Sequence, residues 1–276
     1  MKGDNINRRG FLKKVGAAGF GSVLASGGLT FGAEKSCDSD KKDAKKLPPQ
    51  VPKRKFGKLT ELDKDGKEVP LMVPVLSLGM IFNVVKNQAA LRESLKWGVN
   101  YWDTAYGYAG GKSEEGVGKF LSRRPQLRKD LFIVSKASGA KNAEEVEQRL
   151  KRSLKRMNTD YIDMYYGVHV LREPEQLTDE LRKWAESAKK RKLIRYFGFS
   201  THSNMADCLK AASKLDWIDA ILFKYNFREM QDKQLNEAIE ACYKAGIGLT
   251  AMKTQSKGQI KEFEAEADRK IASQFL

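Results

Sequence analysis

From about residue 75 the chain repeats one alternation: a short run apolar on both faces, then a longer run whose apolar residues recur three and four apart. VLSLGMIF (75–82) leads into NQAALRESLKWG (87–98), and NYWDTA (100–105) leads into SEEGVGKFLSRR (113–124). LFIVSKA precedes NAEEVEQRLKRSLKRMN, where Val146, Leu150, Leu154 and Met157 share one face. YIDMYYGV, YFGFST, AILFKYNF and GIGLTAMK each precede a further helical run, the last of them KEFEAEADRKIASQFL (261–276). Strands apolar on both faces belong in a parallel sheet covered by helices. A doubly wound sheet would want a glycine-rich phosphate loop after its first strand, and LSLGMIFNVV offers none. The expectation is therefore an α/β fold of the (β/α) barrel type, with its function at the C-terminal ends of the strands.

The stretch ahead of this alternation divides in three. Residues 1–33 hold Arg8-Arg9, then Phe11, Leu12 and Lys13, then a weakly apolar run ending in small residues. A basic region, an apolar region and small residues near a cleavage point define an export signal. The paired arginines resemble the twin-arginine type, which carries folded proteins. This predicts the twin-arginine translocation machinery as a partner and a periplasmic location, with no stable membrane span. Residues 34–52, rich in Lys, Asp and Pro, read as a flexible linker. The barrel is expected over 53–276, opening with a hairpin that turns at Asp65-Gly66.

The formal charge of +16 is spread along the chain. Its densest run, KKRKLIR (189–195), sits at a helix end, and no like-charge block is paired with stacking aromatics. No nucleic-acid partner is expected. Cys37, Cys208 and Cys242 form no CxxC pattern, and His169 and His202 are the only histidines. No metal site is expected.

Reactive side chains gather where the strands end. Asp103 and Tyr108 follow the second strand of the repeat, Lys136 closes the third and His169 the fourth. Together they suit carbonyl reduction, which needs a proton for the developing alkoxide. A free phenol ionises near a pH of about 10. An ammonium beside a phenol favours the phenolate, and a carboxylate can hold that ammonium in place. A neutral imidazole can donate a hydrogen bond to the carbonyl, while the hydride is left to a cofactor.

WDTAYGYAGGKSEE, FIVSK, DYIDMYYGVH and YFGFSTHS, in that order, resemble the signatures of the aldo-keto reductases, NADPH-dependent (β/α)8 enzymes. The resemblance covers about residues 53–258. It implies a small carbonyl substrate, NADPH as cofactor, Tyr108 as general acid with Tyr106 the competing choice, assistance from Lys136 and Asp103, and His169 orienting the carbonyl. His169 stands one residue farther from Asp163 than is usual in that family. For the cofactor, the resemblance implies Ser200 and Thr201 in place of a Ser-Asn pair and Leu222 in place of a Gln. It also implies Met252 in place of a stacking aromatic, with Lys253 beside it. A family member would continue past Leu276 with an eighth strand and helix, so the expected fold is a (β/α)8 TIM barrel truncated after its seventh unit. Tyr106, Phe82 and Trp102 are candidates for an apolar substrate pocket. The function implied is that of an exported NADPH-dependent carbonyl reductase. A non-catalytic binding protein on the same scaffold is the alternative, and a polyanion-binding protein is a third, weaker reading.

Overall fold

Strands with apolar side chains on both faces need cover on both faces, and the chain provides it with helices outside and its own side chains within. The computed structural model describes residues 48–254. The proposed export signal, most of the linker with Cys37, and the last expected helix lie outside the described residues.

A hairpin comes first, β1 (Lys53–Leu62) antiparallel to β2 (Glu68–Pro74). The repeat then runs β3 (Leu78–Gly79), α1 (Gln88–Lys96), β4 (Tyr101–Asp103), α2 (Lys112–Arg123), β5 (Phe132–Lys136) and α3 (Ala143–Met157). It continues with β6 (Ile162–His169), α4 (Asp179–Lys190), β7 (Ile194–Thr201), α5 (Met205–Ala212), β8 (Ala220–Lys224), α6 (Lys233–Lys244) and β9 (Gly248–Met252). Strands β3 to β9 form one parallel sheet in chain order, without the reversal that marks a doubly wound sheet. The sheet curls as a (β/α)8-type barrel does, with β3 and β9 as its two edges.

Helix starts follow local chemistry. Asn142, Thr178 and Asp232 each accept a backbone N–H three residues on, at 2.9, 3.2 and 3.0 Å, and so cap α3, α4 and α6. The apolar face expected on α3 is observed, with Val146, Leu150 and Met157 buried and Leu154 half-buried.

Strand alternation separates two cores. Trp102, Ile133, Tyr165, Phe197, Ile221 and Phe223 face outward under the helices. Tyr101, Phe132, Val134, Met164, Tyr166 and Leu222 face the inside of the curl. The hairpin covers the N-terminal end of that interior: Phe56 packs edge-on against Tyr101 and Phe132, and the Lys58 N–H donates to Gly246 O at 2.7 Å. At the other end, the C-terminal rim, Tyr108, His169 and Met252 remain half-buried. Packing begins ahead of β1, because Val51 is buried and its N–H donates to Trp97 O at 2.8 Å. The last residues of the expected linker therefore already rest on the barrel. Cys208 and Cys242 are free thiols whose burial pushes them up to about 11 and about 12.

Candidate active site

Three consecutive strands end in a side chain at the C-terminal rim. Asp103 ends β4, Lys136 ends β5 and His169 ends β6. Lys136 is fully buried; its Nζ donates to Asp103 Oδ1 at 2.5 Å and to the Thr104 carbonyl at 2.7 Å. Taking two charges out of water is costly, and only close pairing with further hydrogen bonds offsets it. Burial pushes the Asp103 carboxyl above its ordinary value, while the Lys136 ammonium pulls it back down.

Tyr108 lies in the loop after β4. The Lys136 ammonium is 4.7 Å from the centroid of its ring, and the His169 ring meets it edge-on at 6.3 Å between centroids. Burial, with the Lys136 charge second, lowers His169 to about 4, so its imidazole is neutral at pH 7. The four side chains expected to form the catalytic group thus stand in a row of neighbours, Asp103 to Lys136 to Tyr108 to His169.

Tyr106 goes elsewhere. Its ring takes the guanidinium groups of Arg149 and Arg156 at 4.6 and 4.5 Å. Arg156 also donates to the Tyr106 carbonyl at 2.8 Å and to the fully buried Glu114 at 3.0 Å, and Glu114 accepts from Ser135 at 2.7 Å. Gly111, at φ +91°, lies so close that a Cβ there would stand 2.7 Å from the same guanidinium. This clasp holds both ends of the loop that carries Tyr108. Sequence reasoning missed it: in α3 a charged residue reads as solvated surface. The available signal was the seven-residue, two-turn spacing of Arg149 and Arg156, which puts both on one face.

The extra residue before His169 is absorbed by a register shift between Tyr166 and Val168, opposite β7. Six residues on from the outward-facing Asp163, an unbroken strand would turn position 169 outward too. The bulge restores the inward direction. Gly167 permits it, since a Cβ there would sit 2.3 Å from the Phe197 ring.

The expected cofactor residues are only partly gathered. Ser200 is fully buried, with its Oγ 2.6 Å from Nδ1 of His169. Leu222, beside Ser200 in register, and Met252 belong to the inner core. Thr201 turns away: its hydroxyl donates to Leu171 O at 2.7 Å and accepts from Ser203 N–H at 3.3 Å. Lys253 is exposed, and its carbonyl accepts from Asn226 at 3.1 Å. Burial first, then the charges of Lys253, Lys224 and Arg172, lowers His202, which places a group of cations on this part of the rim. Of the apolar candidates, Trp102 is fully buried under the helices and is no pocket residue, whereas Phe82 is half-buried against the outer core.

Comparison with known proteins bears on the family and the fold. The chain is 30% identical over 223 residues to the uncharacterized oxidoreductase YqkF of Bacillus subtilis, covering 76% of this chain and 67% of that one. It is 30% identical over 153 residues to the aldo-keto reductase yakc [NADP(+)] of Schizosaccharomyces pombe, covering 51% of this chain and 43% of the relative. Among solved structures, the holo form of aldo-keto reductase AKR11C1 from Bacillus halodurans matches with a TM-score of 0.61 at 26% identity, over 76% of this chain and 68% of that one. The chain thus spans about two thirds of the length of YqkF and under half that of yakc. The model of the Aldo/keto reductase family matches residues 81–274, and the chain is a member of that family.

Proposed function

We propose that this chain is an NADPH-dependent carbonyl reductase, exported to the periplasm by a twin-arginine signal in residues 1–33. The observation that carries the catalytic part is the buried Asp103–Lys136 pair set directly beneath the Tyr108 ring, with a neutral imidazole at its edge. The name of the fission-yeast relative supports NADP as the cofactor. The rim offers apolar Leu222 and Met252 to a nicotinamide ring, and Lys253 and Arg172 to phosphate groups, while Lys224 is paired with Glu229 at 2.8 Å. These residues fit a phosphorylated dinucleotide. The hydroxyl of Thr201, committed to Leu171 and Ser203, does not fit a contact to the carboxamide. Arg8-Arg9 and the run behind them support export.

When bound, the cofactor supplies the hydride. The chain supplies the rest. His169, uncharged, donates a hydrogen bond that orients the carbonyl oxygen. Tyr108 passes its phenolic proton to that oxygen as negative charge develops there. Lys136 stabilises the phenolate left behind, and Asp103 with the Thr104 carbonyl holds the ammonium in place.

A second reading, a binding protein without turnover, is favoured by one observation: Leu222 and Thr201 leave the expected polar contacts of the nicotinamide unmade. Fluorescence titration of the full chain with NADPH and with NADH tests the cofactor. Saturable binding that prefers NADPH supports the proposal, and a folded chain that binds neither contradicts it.

A further inference from the structure

Ser200 is a fully buried hydroxyl whose one side-chain hydrogen bond among the described residues is to Nδ1 of His169, at 2.6 Å. The two residues are register partners on β6 and β7. A neutral imidazole carries one N–H, and a hydroxyl can donate to the bare nitrogen or accept from the protonated one. The two arrangements differ in what they leave unpaired. If Ser200 accepts, its own hydrogen is buried with no acceptor among the described residues, which carries the full desolvation penalty. If it donates, that hydrogen is satisfied and the ring proton is left on Nε2.

We propose that Ser200 is a positioning residue that donates to Nδ1 of His169, fixes the imidazole as its Nε2–H tautomer, and so gives the rim a neutral hydrogen-bond donor for a carbonyl oxygen. The part concerning the carbonyl rests on the function proposed above; the tautomer does not. The bulge at Gly167 brings the two side chains together, because without it position 169 would face away from Ser200. The same contact commits the Ser200 hydroxyl, so recognition of a nicotinamide carboxamide falls to other groups.

The chain has two histidines, so 15N-histidine labelling of the full chain gives two imidazole spin systems. Ser200→Ala removes a single oxygen atom and should leave the fold intact. In the wild type, His169 is expected as the Nε2–H tautomer. In Ser200→Ala it should become a mixture of tautomers while His202 is unchanged, and Ser200→Thr should restore the wild-type signal. An Nδ1–H tautomer in the wild type, or a His169 spectrum indifferent to Ser200→Ala, overturns the proposal. With benzaldehyde as the probe, Ser200→Ala should lower kcat about tenfold with NADPH affinity unchanged. A loss of NADPH affinity with an unchanged imidazole spectrum overturns the positioning role and leaves the reductase reading standing. No turnover by the wild type, with the tautomer as stated, refutes the reductase reading alone.

Discussion

Two buried carboxylates sit at opposite ends of the same barrel, and they do different things. At the floor, Asp163 accepts from Arg128 and Arg195 at 2.8 Å each and from the Ile133 N–H at 2.9 Å. Arg128 is itself held by Thr159, Leu131 O and Tyr161 O, and Arg195 reaches Glu61 of the hairpin at 3.5 Å. Every partner there is a permanent cation or an amide, and none can give up a proton at neutral pH. At the rim, Asp103 has one cationic partner, and that lysine abuts a phenol and an imidazole. The floor network ties the hairpin to the sheet, whereas the rim network is the one to which the proposed function assigns a proton transfer. A buried ion pair is therefore no sign of a site by itself. Phenols stand at both ends, since Tyr161 and Tyr196 lie against Arg128 and Arg195, so what distinguishes the rim is an ammonium in place of guanidinium groups and a neutral imidazole beside its phenol.

Exchanging like for like at the two ends should separate their roles. Lys136→Met removes the ammonium at the rim, and turnover should fall by roughly 10² to 10⁴, the usual worth of a positioned proton-transfer group. Retained turnover would remove Lys136 from the mechanism. Arg128→Met does the parallel damage at the floor. It should cost about 3–5 kcal/mol of stability in denaturant unfolding, because Asp163 loses a buried partner, with turnover per folded molecule unchanged. Similar effects of the two variants on turnover would erase the distinction.

His169 gives the rim a pH dependence of its own. Its folded-state value, about 4, lies below the ordinary 6.5, so the unfolded chain binds the proton more readily. The contribution is fully present above about 6.5 and is lost as pH falls from there through 4, by up to about 1 kcal/mol per pH unit. Unfolding curves of the wild type and His169→Gln should converge across that window. Parallel curves would mean that the imidazole is not held neutral by its surroundings. The smallest effect is expected from Arg156→Lys, which keeps the charge opposite Glu114 but loses the planar fork on Tyr106. A loss of about 1–2 kcal/mol in stability is expected, with faster proteolysis in the 104–111 loop. Unchanged proteolysis there would leave the clasp without its positioning role.

Much of this was legible in the residues. The strand–helix alternation survived because strands apolar on both faces read the same whatever their partners. Asp103, Lys136 and His169 were legible because they end apolar runs, where a barrel exposes its chemistry. What the sequence hid depends on register or on distant contacts. The bulge at Gly167 is a one-residue offset between β6 and β7, and no spacing within β6 reveals it. Thr201 sits beside Ser200 in sequence, yet its hydroxyl is taken by Leu171 and Ser203, contacts that no spacing reveals. Arg156 and Glu114 are 42 residues apart and charged, so helix periodicity assigns both to solvent. The hairpin was legible, but its place on the floor depends on contacts between Phe56 and strands far along the chain.

The most direct test follows NADPH oxidation by the full chain, wild type and Tyr108→Phe, with benzaldehyde as the carbonyl probe and cofactor affinity measured in parallel. Both proteins are expected to bind NADPH with similar affinity, and only the wild type to consume it. Equal consumption by Tyr108→Phe would contradict the assignment of the proton to Tyr108, and with it the contrast between rim and floor.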